Sequence, residues 1–214
     1  MTVLELGSRS ALIVRHMWGS DMNMMINRVQ LLSAMLLGAC GVASAAPVYR
    51  YADCTSCAAR IPDSNGTTDG VITAAITVPS FMCSGSTVQA YSLQLSVLHS
   101  NVGDLKVKLT SPGSTIVNVV NRPLAQGNCA GDDIRATFTD AGASQSCGTQ
   151  IPALSGDAKP VGVMATLGTA VQTGVWLVEV RDQAAGGDGY LNDAQLRLTC
   201  GYSDGIFTDS FELQ

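Results

Sequence analysis

The chain has 214 residues, 46% of them apolar and 14% charged, with 22 glycines. That is enough for one ordinary domain plus a leader, too little for two large domains and too apolar for a disordered polymer. Counted from Ala46, nine Lys and Arg stand against fifteen Asp and Glu, a net charge of −6, which argues against the basic stripe that nucleic-acid binding requires.

The first 45 residues differ from the rest. Arg28 precedes the apolar run VQLLSAMLLGACGVASA, which is short for a membrane span and closes on Ala43-Ser44-Ala45. This is the pattern of a secretory signal peptide cut before Ala46. The segment ahead of Met22 contains Glu5 and Asp21 and reads poorly as a leader, which favours a start at Met22, Met24 or Met25. A second exit lies in the same run. LLGAC sets Cys40 behind Leu-Gly-Ala and resembles a bacterial lipoprotein box, where lipidation would tether the protein to a membrane. Both exits lead out of the cytoplasm, to a secreted, periplasmic or cell-surface location, and cleavage before Ala46 is the reading adopted.

After Cys40, six cysteines remain: Cys54, Cys57, Cys83, Cys129, Cys147 and Cys200. An even number in an exported chain predicts three disulfides. Cys129 and Cys147 bracket one loop and are the favoured pair. Cys54 and Cys57 have zinc-ligand spacing, but no second close Cys or His pair completes a tetrahedral site.

Residues 46–59 read as an irregular lead-in pinned by cysteines. IPDSNGTTDG then turns the chain into VITAAITV, a strand closed by Pro79. TVQAYSLQLSVLH alternates Leu93, Leu95 and Val97 with polar residues, and DLKVKLTSP repeats this with Leu105, Val107 and Leu109. Both predict half-buried strands. Ser111-Pro112-Gly113-Ser114 is a turn, followed by the strand TIVNVV. Residues 122–160 are polar and glycine-rich, with the short strand IRATFTD inside. GVWLVEVRD is a further strand, and Gly186-Gly187-Asp188-Gly189 turns into the last one, YLNDAQLRLTC. Short strands joined by turns, without helices between them, predict an all-β sandwich of two antiparallel sheets. Residues 201–214 form a tail whose ending, DGIFTDSFELQ, is acidic and aromatic.

IPD, LHSNVGDLKVKLTSPGST, TFTDAG and TGVWLVEVRDQAAGGDGYLNDAQLRL occur in an order that resembles the P domain, or P/Homo B domain. This module follows the subtilisin-like catalytic domain of proprotein convertases and of many bacterial secreted proteases. The resemblance covers residues 60–200 and implies an eight-stranded jelly-roll β-sandwich. It departs from the family at Ala194, where a tryptophan is usual, and at Leu167, where a phenylalanine is usual; both replacements are apolar. In the resembled proteases the module stabilises the catalytic domain and influences its calcium and pH dependence.

Catalytic residues are read as none. Counted from Ala46 there is one histidine, His99, and no serine lies in a nucleophile elbow. His99 is read as a structural residue at a strand end. Asp132-Asp133 makes a poor glycosidase pair, because sequence neighbours point apart. Asn65-Gly66-Thr67 fits a glycosylation sequon but is read as a turn. Thirteen of the fifteen acids are Asp, which suits turns and compact oxygen-ligand sites. Calcium is therefore the cofactor considered, with Asp104, Asp182, Asp188 and Asp140 as candidate ligands and Asp104 with Asp188 foremost.

The function expected is an exported, non-catalytic partner or regulator of a secreted subtilisin-like protease. The alternative is a stand-alone module binding a cell-surface protein or glycan. Trp176 and Trp18 are the tryptophans, and Trp18 lies in the leader, which counts mildly against a carbohydrate platform.

Overall fold

The computed structural model describes residues 46–123, 129–147 and 149–201. The leader, the Cys40 alternative and the tail from residue 202 lie outside the described residues. Ten strands are present among those described: β1 Val48–Asp53, β2 Ala59–Ile61, β3 Gly70–Val78, β4 Val88–His99, β5 Leu105–Thr110, β6 Ile116–Asn121, β7 Ile134–Ala143, β8 Leu154–Ala158, β9 Gly174–Asp182 and β10 Gly189–Cys200. Two short 3-10 turns, Val102–Asp104 and Met164–Leu167, join them.

The strands form two sheets. One runs β1-β10-β4-β7-β8, with β2 also on β10, and the other runs β3-β9-β5-β6. All pairings are antiparallel except β7 with β8. This is the β-sandwich that the alternating pattern predicts. The implied count of eight strands is exceeded for local reasons. β1 and β2 are short pieces added along one side of β10, and β8 lies in the polar 122–160 stretch beside β7.

Register shows how alternation builds the core. Ala52, Leu196, Leu93, Phe138 and Ala158 lie opposite one another across the five strands of the first sheet, and all are buried. The second sheet contributes Ile76, Trp176, Val178, Val180, Leu105 and Leu109 to the same core. Tyr91 and Trp176 meet with ring centroids 5.4 Å apart. The Tyr91 hydroxyl donates to Ala170 O at 2.8 Å and Trp176 Nε1 donates to Gln172 O at 2.9 Å, so the two large amphipathic rings are buried without an orphaned polar atom. Ala194 and Leu167 are buried too, so the smaller apolar residues keep core positions.

Three disulfides join Cys54 to Cys57, Cys83 to Cys200 and Cys129 to Cys147. The first lies in a segment that is ordered, contrary to the irregular lead-in expected. Beyond β1, Cys54 bridges to Ile76, Thr55 N–H donates to Ala75 O, and Ser56 Oγ accepts from Ala75 N–H. These contacts cover the exposed edge of β3, which would otherwise offer unpaired backbone groups.

Candidate functional site

Asp104, Asp182 and Asp188 lie at one end of the sandwich, where β4 ends at His99, β9 ends at Asp182 and β10 begins at Gly189, whereas Asp140 lies on β7 beyond Phe138, towards the opposite end. His99 Nε2 lies 3.3 Å from Asp182 Oδ2, with side chains 1% and 0% exposed. Nδ1 sits 2.9 Å from Asn101 O and 3.1 Å from Asn101 N. Nδ1 is thus within hydrogen-bond reach of both backbone groups of Asn101, and its role there depends on the tautomer. Asp182 Oδ1 accepts Ala184 N–H. Asn101 caps the 3-10 turn by accepting Gly103 N–H on its side-chain oxygen. Gly189 is needed here, since a Cβ would fall 2.4 Å from Leu98 O and 2.7 Å from His99 Cδ2.

Asp104 follows on that 3-10 turn, with Arg122 at 3.9 Å. Burial, and then the nearby charge of Asp182, raises its carboxyl pKa; His99 and then Arg122 oppose this. Asp188, in the loop between β9 and β10, pairs with Arg60. Arg60 Nε donates to it at 2.6 Å, and this hydrogen bond foremost lowers its pKa. Asp140 accepts Met164 N–H and Ala165 N–H, each at 2.8 Å, and so caps the second 3-10 turn. Of the four candidate calcium ligands, Asp104 lies near Asp182, Asp188 is paired with Arg60, and Asp140 caps the second 3-10 turn. Among the described residues, no group of three or more His, Cys, Asp or Glu side chains is arranged to hold a metal ion.

Asp133 is at φ 65°, a left-handed conformation that aspartate tolerates better than most residues. It exchanges bonds with His99, donating its N–H to His99 O at 3.0 Å and accepting His99 N–H on Oδ1 at 3.1 Å. With Asp132, Asp188, Tyr190, Ile151 and His99 it lines an open groove of about 360 Å³. The Asn65 side chain closes a turn by accepting the N–H groups of Thr67 and Thr68.

Sequence reasoning missed Asp63 and Arg60. The Asp63 carboxylate accepts Gly186 N–H at 3.0 Å and Gly187 N–H at 3.3 Å, and with Arg60 it fixes the loop between β9 and β10. The signal is the IPD motif itself, whose aspartate reads as a turn residue until the loop it holds is known.

The arrangement has limited chemical capacity. Both His99 nitrogens are committed within the fold, to Asp182 and Asn101, and no described hydrogen bond links its ring to a serine hydroxyl. A triad requires that link.

Comparison with known proteins gives a family model described as the proprotein convertase P-domain, which matches residues 88–198, more than half of the chain. No curated protein matches. Among solved structures, the chain is similar to a serine protease of Aeromonas sobria in complex with a chaperone, with 18% identity, a TM-score of 0.42, and 74% of this chain and 27% of that one covered. It is also similar to the Aeromonas sobria serine protease alone, with 18% identity, a TM-score of 0.37, and coverage of 72% and 26%. The chain spans about a quarter of the length of these proteins.

Proposed function

This chain belongs to the proprotein convertase P-domain family, and on that premise we propose that it is an exported, non-catalytic accessory module of a subtilisin-like serine endopeptidase. The observation that carries the reading is the family match across β4 to β10, the strands that make most of both sheets. The commitment of His99 to Asp182 and Asn101 supports a scaffold role. Export is supported by the leader pattern and by three disulfides, which persist in oxidising compartments.

The test is capture of the tagged protein from culture supernatant, with mass spectrometry of what accompanies it. Recovery of a subtilisin-like protease whose half-life lengthens when this protein is added supports the reading. Recovery without any such protease, or turnover of a peptide substrate that vanishes in His99→Ala, overturns it. The same spectra report the mature N-terminus, expected at Ala46 or at a lipidated Cys40.

A further inference from the structure

The outer face of the larger sheet is chemically unlike its inner face. Register places Asp53, Gln195, Gln94, Thr137 and Asp157 opposite one another across β1, β10, β4, β7 and β8, a polar row spanning five strands. The neighbouring row begins with Tyr51, Arg197 and Ser92, and the next with Tyr49 and Thr199. Tyr49 and Tyr51 are 47% and 50% exposed and project from the same side of β1, roughly 6.7 Å apart along the strand.

This surface is held in place. The Arg197 guanidinium carbon lies 5.3 Å from the centre of the Tyr49 ring, while Arg197 Nε donates to Ser92 Oγ at 2.9 Å. Gln195 donates its amide to Asp53. Past Gln94 the face dips into a groove of about 260 Å³ lined by Ser96, Arg135, Thr137 and Asp157.

We infer that this face binds an uncharged polysaccharide, with Tyr49 and Tyr51 as a ring platform and Gln94, Gln195 and Arg197 as hydroxyl partners. A sugar presents apolar C–H faces and a rim of hydroxyls, which matches aromatic rings beside planar amide and guanidinium groups. A protein partner would bring an apolar centre. Set against these rows of amides, hydroxyls and carboxylates, it would leave buried polar groups unpaired, which is costly. Arg197 and Arg135 stand against Asp53, Asp157 and Asp193 on the face, so its charges nearly cancel and favour no strongly ionic ligand. Because the contacts fixing Arg197 and Gln195 exist before binding, less side-chain freedom is lost when the ligand arrives. This site is separate from the protease association proposed above and stands or falls without it.

The test is gel electrophoresis of the purified protein through laminarin, hydroxyethylcellulose, xylan and dextran, with a heparin gel as the charged control. Retardation is expected in at least one neutral gel. The Tyr49→Ala/Tyr51→Ala variant should weaken it about tenfold or more, Gln94→Ala severalfold, and Leu177→Ser on the opposite sheet not at all. Thermal melts check folding, and if the tyrosine variant melts early, Gln94→Ala decides. Unchanged migration in every neutral gel overturns the inference, as does equal retardation of wild type and folded variants. So does a protein captured from supernatant through Tyr49 and Tyr51 when no polysaccharide retards the chain.

Discussion

His99 and Asp182, 83 residues apart in the chain, form a buried side-chain pair that ties the end of β4, in one sheet, to the end of β9, in the other. The pair lies where the two sheets come together at one end of the sandwich, so its hydrogen bond is a tie between layers. Asp182→Ala should lower unfolding free energy by about 3 kcal/mol, the scale for leaving a buried partner unsatisfied. Asp182→Asn, which still offers an acceptor to Ala184 N–H, should lose less. Urea denaturation distinguishes them, and a loss below about 0.5 kcal/mol in Asp182→Ala, the scatter of neutral surface changes, would show that the tie contributes little.

Asp104 predicts an unusual pH dependence. Its folded pKa is raised, by burial first and by Asp182 second. A carboxyl of this kind is protonated more readily in the folded than in the unfolded chain. Stability from this group is therefore fully present below its ordinary value of 3.8, and is lost as pH rises through the raised folded value. At neutral pH the ionised side chain works against the fold. Asp104→Asn should melt above wild type at pH 7, with the advantage shrinking towards pH 4. A variant that melts lower at pH 7 would mean that the contacts with His99 and Arg122 outweigh burial and the repulsion from Asp182.

Calcium offers an independent check on the same corner. With Asp188 held by Arg60 and Asp140 capping a 3-10 turn, the melting temperature is expected to be the same in calcium and in chelator. An ion bound only by the folded state at a hundred times its dissociation constant would add about 2.7 kcal/mol, which a melt resolves easily. A calcium-dependent rise that disappears in Asp104→Ala would instead support the ligand set expected from sequence.

The core is legible because the sequence alternates. Leu93, Leu95 and Val97 in β4, and Leu105, Val107 and Leu109 in β5, declare an inner and an outer face by their spacing alone. β1 is illegible for the opposite reason. In VYRYAD, Ala52 is the sole buried residue of an edge strand, so the apolar pattern carries almost no signal. Its two tyrosines gain meaning only once pairing with β10 sets Arg197 and Gln195 beside them. β8 hides similarly, since LSGDA buries its two ends and little between. At the corner, composition shows many aspartates, but it does not show which arginine or backbone amide each will meet. Arg60 and Asp188 are 128 residues apart, and folding alone brings them together.

The disulfides should contribute unequally. Closing a loop restricts the unfolded chain more as the loop lengthens: about 3 kcal/mol for fifteen residues and about 4.7 kcal/mol for a hundred. Cys83–Cys200 spans 117 residues, Cys129–Cys147 spans 18 and Cys54–Cys57 spans three. The first fastens the turn after β3 to the end of β10, so it also joins the two sheets. Replacing Cys83 and Cys200 together by alanine should therefore cost most, the Cys129 and Cys147 pair less, and the Cys54 and Cys57 pair least through this effect. The last pair brings a separate consequence, because its loop covers the edge of β3 through Thr55 and Ser56. Its loss should increase hydrogen exchange at Ala75 more than it lowers global stability. Thiol labelling of the denatured, unreduced protein should find none of the six cysteines free. Two or more reactive thiols, or a Cys54/Cys57 variant as unstable as the Cys83/Cys200 one, would contradict this ranking.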